Sequence, residues 1–177
     1  YTVYRTIRSY PRKIGGNLLG DVGEINERQL KMKRYADYRS GDYVGQSGVE
    51  KAYEEELRGK KGVKIMEKDT HGVVKGSYMD GMFDSLPEPG NYIVTTIDAR
   101  LQAFTEELMR GKVGAAVAIE PSTGEILMMV SSPTFDPDEM VGRHRGNNYM
   151  KMLYNKRQPM FNRAVKAKYP PGSTFKL

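Results

Sequence analysis

The sequence of 177 residues holds no cysteine and only two histidines, His71 and His144. Without cysteine there is no disulfide framework and no thiolate zinc site, although the compartment stays undecided. The histidines stand far apart and lack partners at ligand spacing, so each reads as a surface or loop residue, and no metal or cofactor is expected. No apolar run approaches the roughly 20 residues of a membrane span, in keeping with a mean hydropathy of −0.62 and 28% charged residues. No signal peptide is legible, which carries no weight in a chain that begins at Tyr1. Gly114 and Gly124 flank an expected hairpin and do not make a phosphate loop. The net charge of +6 and pI near 9.4 would suit nucleic acid, a membrane surface or an anionic wall polymer. The charge is mixed, however: Glu54, Glu55 and Glu56 adjoin Arg58, Lys60 and Lys61. A solvated surface with a basic bias is the simpler reading.

What is present is concentrated near the end. Tyr169-Pro170-Pro171-Gly172-Ser173-Thr174-Phe175-Lys176 sets a serine and a lysine three positions apart after a Pro-Pro-Gly turn, where a helix can begin. Residues i and i+3 share a helix face, so the Lys176 ammonium can reach the Ser173 hydroxyl. A serine is a weak nucleophile until a base takes its proton, and a lysine serves when burial or a second cation lowers its pKa. A helix N-terminus adds backbone N–H donors for an oxyanion. The four-residue spacing alone is weak, since about one such match is expected by chance. No His-Asp arrangement supports a triad.

Three helices are predicted. Asn26 with Gln29 fits an N-cap and its N3 partner, opening a short helix toward Tyr35. Ser47 and Glu50 form a capping box, Val49, Tyr53 and Leu57 recur as an apolar face with its own modest core, and Gly59 supplies a left-handed stop. Asp98 caps a third helix, with Leu101, Phe104 and Leu108 on one face before Gly111. The acidic residues near Glu54 and Glu106 are expected on solvated helix faces. Residues 63–67 and 72–75 read as an exposed two-stranded piece and 92–96 as a strand. Pro87-Glu88-Pro89-Gly90 reads as a linker and domain boundary. Residues 114–120 and 125–131 read as near-continuous apolar strands around a tight turn, which are normally covered on both faces. Residues 136–168 should be irregular, with a helix near Tyr149 to Asn155.

The residues around Ser173 resemble the nucleophile motif of penicillin-binding proteins. Asn91-Tyr92-Ile93-Val94-Thr95-Thr96-Ile97-Asp98, with Arg100-Leu101-Gln102, is similar to the entry to the transpeptidase domain of class B members. The run from Ala116 to Pro133 resembles that domain's first hairpin, Phe135-Asp136-Pro137 follows, and Asn162-Arg163-Ala164 leads into the nucleophile turn. Upstream, residues 19–26 and 41–54 resemble the non-catalytic pedestal. With Leu57-Arg58-Gly59, the second run is most similar to the elongation-type member.

The resemblance implies an α+β chain: a partial pedestal over residues 1–90, then the start of an α/β transpeptidase domain over 91–177. It implies Ser173 as nucleophile and Lys176 as general base of a peptidoglycan D,D-transpeptidase. Stem peptides ending in D-Ala-D-Ala would be its substrates and β-lactams its acylating mimics. It further implies a cell-envelope parent on the periplasmic side of the inner membrane, anchored by an N-terminal helix. The pedestal would serve as a surface for an elongation glycosyltransferase and a scaffold protein; no nucleic-acid partner is implied. The family's Ser-x-Asn and Lys-Thr-Gly motifs and its anchor are not in this sequence, so the chain is expected to be a piece of a longer protein, silent by itself. Two other readings use the same residues: a β-lactam sensor or hydrolase, which would have no use for a pedestal, and a purely interacting module of the elongation machinery.

Overall fold

The computed structural model describes residues 2–4, 8–142 and 144–170. In the first half, β1 (Thr2–Tyr4) pairs antiparallel with β4 (Gly62–Lys64), β2 (Val22–Glu24) with β3 (Tyr43–Gly45), and β5 (Met66–Lys68) with β6 (Val74–Ser77). Short helices lie between them: α1 (Gly16–Leu19), α2 (Glu27–Leu30), α3 (Gly48–Ala52) and α4 (Glu54–Leu57). The second half comprises α5 (Ala99–Leu108), the antiparallel hairpin of β7 (Gly114–Ile119) and β8 (Ile126–Ser132), α6 (Arg145–Leu153) and α7 (Arg163–Lys166). The chain is a mixed α+β structure, as expected from the sequence.

Local chemistry accounts for several of these elements. Asn26 accepts from the Gln29 backbone N–H at 2.9 Å while the Gln29 side chain accepts from the Asn26 N–H at 3.0 Å, a complete capping box for α2. The helix ends at Leu30, and a separate 3₁₀ turn, Lys33–Tyr35, carries the chain onward. That turn delivers Tyr35 to a small apolar cluster with Ile25 and Val44, against which Leu30 and Tyr38 pack. Gly59 has φ +63°, the left-handed conformation expected after a helix.

The segment after Ser47 departs from expectation. Ser47 makes no cap; its hydroxyl donates to Asp21 at 2.6 Å and accepts from the Asp21 N–H at 3.2 Å. Glu50 likewise turns to Arg8 and Tyr10. The expected single helix breaks at Tyr53 into α3 and α4. Its inward face is not Val49, Tyr53 and Leu57: Tyr53 is 47% exposed, whereas Glu50 and Glu54 are 5% and 2% exposed. Glu54 is therefore buried rather than solvated. The expected 63–67 strand is also divided. Val63 and Lys64 pair with β1, and the next residues form the β5–β6 hairpin.

In the second half, Asp98 accepts from Arg100 and Leu101 N–H groups and starts α5 as expected. The hairpin matches its expected bounds closely. Residues 92–96 form no strand; Tyr92 and Val94 are almost fully exposed. The stretch expected as a linker returns to the first half, where Lys60 and Glu88 exchange backbone hydrogen bonds and the Asn91 N–H donates to Glu56 O. Residues between Tyr10 and Gly23 join the two halves, through contacts with Glu106, Asp136, Asp138, Arg145 and Pro159. At Gly16 a Cβ would lie 2.1 Å from the Phe135 carbonyl oxygen, so only glycine permits that approach.

Candidate functional site

Ser173 and Lys176 lie outside the described residues; the approach to them does not. β8 ends in Ser131 and Ser132 beside α7. Ser131 Oγ accepts from the Arg163 backbone N–H at 2.9 Å and donates to Phe161 O at 3.1 Å. Arg163 is 7% exposed. Its Nη1 donates to Gln158 O at 3.0 Å and Phe161 O at 3.3 Å, and its Nη2 to Arg157 O at 2.7 Å. The preceding loop is thus gathered around one guanidinium. Asn162 caps α7 through the Val165 N–H at 3.3 Å. Its Nδ2 donates to Asn17 O, while Asn17 Nδ2 donates to Pro159 O at 2.9 Å. Beyond Lys166, Ala167 is extended and half-buried, and Lys168, Tyr169 and Pro170 are exposed.

The hairpin's outer edge is also fixed by a side chain. Gln102, 1% exposed, donates to Met129 O at 3.0 Å and accepts from Met129 N–H at 2.9 Å. One amide on α5 therefore replaces a strand neighbour of β8. Its Nε2 also donates to Glu106, which accepts from the Gly15 N–H at 2.8 Å. Glu106 is half-buried and bonded, not on the solvated face expected for it. The Asp98 carboxyl is held below its ordinary pKa by the Leu101 and Arg100 backbone N–H groups.

A second cluster binds the first half together. Glu50 accepts from Arg8 Nε at 2.9 Å and Tyr10 OH at 2.6 Å. Glu54 accepts from Tyr38 OH at 2.5 Å and the Gly45 N–H at 2.7 Å. Burial, followed by the hydrogen bond and charge of Glu50, pushes the Tyr10 hydroxyl far above its ordinary pKa; burial and Glu54 do the same for Tyr38. Asp21 connects this cluster to the second half, since Arg145 at the start of α6 donates to its carboxylate at 2.7 Å and to Val22 O at 2.6 Å. A cavity of about 510 Å³ opens beside it, lined in part by Arg8, Tyr38, Asp42, Glu54, Arg58 and Lys61. Its charges are already partnered: Arg8 with Glu50, Arg58 with Asp37, Lys61 with Asp42.

Of the residues singled out in the sequence, Asn162 and Arg163 are brought together with the hairpin, and Asp98 with α5. His71 and His144 are exposed and separate. No role was anticipated for Ser131, Gln102 or Asn17. Their types are common surface residues, and only their position against a β-strand edge or loop gives them work. Arg163 had a faint signal: a cation between Phe161 and Ala164-Val165 with no carboxylate nearby in sequence.

Residues 1–95 match the family model of the Penicillin-binding Protein dimerisation domain, and residues 114–177 that of the Penicillin binding protein transpeptidase domain. Peptidoglycan D,D-transpeptidase MrdA of Acinetobacter baumannii is 39% identical over 96% of this chain, which spans 25% of that relative's length. Penicillin-Binding Protein (PBP2) from Helicobacter pylori, solved in complex with MreC, superposes with a TM-score of 0.71 at 30% identity, covering 95% of this chain and 31% of that one. Pseudomonas aeruginosa PBP2, solved in complex with WCK 5153, gives 0.70 at 35% identity, covering 95% and 33%. The chain thus spans about a quarter of the length of the curated relatives it matches. It belongs to the class B penicillin-binding proteins of the PBP2 (MrdA) type, as a dimerisation (pedestal) domain followed by the start of a transpeptidase domain.

Proposed function

We propose that this chain is part of a peptidoglycan D,D-transpeptidase in which Ser173 is the acylated nucleophile and Lys176 its general base. The observation that carries the reading is the match of residues 114–177 to the transpeptidase family model, which runs through Ser173 and Lys176. Lys176 takes the Ser173 proton as Oγ attacks the carbonyl of the penultimate D-Ala of a stem peptide. The C–N bond to the terminal D-Ala breaks, that D-Ala leaves with a proton on its amine, and an acyl-enzyme remains. The amine of a second stem peptide then attacks the ester, forming the cross-link and returning the proton to Ser173. β-Lactams open on the same serine because their amide imitates the D-Ala-D-Ala bond.

The domain division we assign is a pedestal over 1–90 and transpeptidase from 91. The Helicobacter pylori relative is described as a complex with MreC. By that likeness the pedestal offers a surface to a scaffold protein, and the elongation glycosyltransferase is a second partner. The place of action is the periplasmic side of the inner membrane, with an N-terminal helix of the longer protein as anchor. Among the described residues, no helix is long and apolar enough to cross a membrane.

The 177-residue polypeptide by itself is expected not to react. The family's Ser-x-Asn and Lys-Thr-Gly motifs, whose groups would orient the substrate, are not among these 177 residues, and without that positioning the reaction should be lost. The test treats the full-length protein and this polypeptide side by side with a fluorescent penicillin and maps the adduct by mass spectrometry. Label on the Ser173 peptide of the full-length protein alone is expected. An adduct on another serine defeats the assignment, and equal labelling of the short chain defeats its silence.

A further inference from the structure

We propose that Arg163 is a positioning residue for acylation of Ser173, acting through the loop of residues 157–162 that it gathers; this rests on the nucleophile assignment above. Arg163 is the last buried residue before the nucleophile turn among the described residues. Its guanidinium carries no carboxylate partner among the described ion pairs. It spends its donors on backbone oxygens instead, those of Arg157, Gln158 and Phe161. Taking a cation out of water is costly, so an arginine held this way needs all of those carbonyls, and they in turn are fixed by it.

The arrangement is locked from two further sides. Ser131 Oγ bridges the Arg163 N–H and Phe161 O, tying the loop to the end of β8. Arg157 donates outward to Gly111 O, tying the loop's start to the turn before β7. Gln158 accordingly sits at φ +49°, a conformation that an unconstrained glutamine rarely adopts. From this anchor the chain has a single capped turn, α7, then half-buried Ala167 and the exposed residues Lys168 to Pro170, with Tyr169 63% exposed. The direction in which the chain heads toward Ser173 is therefore set by Arg163 together with α7, because Arg163 is the last fully buried residue as far as Pro170 and α7 packs against β7 and β8.

A lysine would keep the charge but not the function. Its ammonium presents donors from one point, whereas the planar guanidinium spreads them to carbonyls on separate residues. The turn would then be entered at a slightly different angle. An error of about 1 Å at a reacting group can slow chemistry by about 100-fold without abolishing binding.

The test uses the full-length protein, with Arg163→Lys beside wild type, and separates the non-covalent dissociation constant of a fluorescent penicillin from its acylation rate constant by stopped flow. Active-site titration and thermal melting count the folded sites. We expect the acylation constant per folded site to fall about 10- to 100-fold, with binding altered by no more than about threefold. An acylation constant within about twofold of wild type overturns the proposal, as does a loss wholly explained by fewer folded sites. If Arg163→Lys does not fold, Ser131→Ala decides. That variant removes the bridge while leaving the guanidinium, and it should lower the same constant by about three- to tenfold, with an unchanged constant overturning the proposal. Mass spectrometry of the wild type separates the two claims. Label absent from Ser173 sinks the nucleophile assignment and this inference together, whereas label present with a fast Arg163→Lys sinks the inference alone.

Discussion

The pedestal half gathers a small apolar cluster of Ile25, Tyr35 and Val44 and surrounds it with buried carboxylates, Asp21, Glu50 and Glu54, each hydrogen-bonded across the sequence. The transpeptidase half buries Met128, Val130, Phe135 and Met140, yet leaves Phe104, Leu108, Val117 and Ile119 substantially exposed on α5 and β7. The first region is held by directional polar pairs whose loss strands a buried partner. The second is held by one face of a hairpin, by the Gln102 amide at the β8 edge and by the Ser131 and Ser132 hydroxyls at the end of β8. Removing a polar group should therefore hurt in both halves, whereas removing an outward apolar group from α5 should hardly register in this polypeptide.

The largest effect falls on the chemistry. Lys176→Ala in the full-length protein should slow acylation by about 10²–10⁴-fold, the usual contribution of a positioned base; stopped-flow labelling with a fluorescent penicillin reads it, and a near-normal rate would mean that another group takes the proton. Glu54→Ala comes next. It leaves Tyr38 OH and the Gly45 N–H without their acceptor, and should cost about 2–4 kcal/mol in urea unfolding. If the cost is negligible, the polar account of the pedestal is wrong.

Gln102→Ala tests the corresponding device in the other half. It opens the Met129 N–H and carbonyl, and should cost about 1–3 kcal/mol by the same measurement. Alkaline titration then separates the halves by pH. The Tyr10 and Tyr38 pKa values are raised in the fold, so their contribution is intact below the ordinary tyrosine value of about 10. It is lost as the pH climbs above that value toward their folded pKa. Ultraviolet titration should show these two pedestal tyrosines ionising last, with the unfolding of that half; early ionisation of either would show it to be solvated. Smallest of all, Phe104→Ala should change the stability of the 177-residue polypeptide by about 0.5 kcal/mol or less, as Phe104 is 61% exposed. Repeating it in the full-length protein sharpens the comparison, because a cost of several kcal/mol there would show that further chain covers this face.

Legibility in the sequence followed the range of the interaction. Asn26 with Gln29 and Asp98 with its helix were readable because cap and backbone lie within three residues of each other. The 114–132 hairpin was readable because two apolar runs flank a tight turn. Ser47 and Glu50 had the same local signature as a capping box, but Asp21 and Arg8, from 26 and 42 residues away, claimed both side chains. Residues 92–96 have strand-forming composition, yet a strand also needs a neighbour, and here only Thr96 Oγ1 and the Asp98 N–H reach β8, at Ile126 O and Leu127 O. The Ser173 and Lys176 pair was legible as a pattern, and its surroundings were not.

By itself, then, the sequence determined the family resemblance, the order of pedestal and transpeptidase segments, the caps and the hairpin, since each is written in neighbouring residues or in a motif. Only the tertiary structure decided that α3 and α4 turn their glutamates inward, that Gln102 stands in for a strand, and that Arg163 collects three carbonyls. Those outcomes depend on whether a buried polar group finds a partner far along the chain, and no local pattern encodes the partner's arrival.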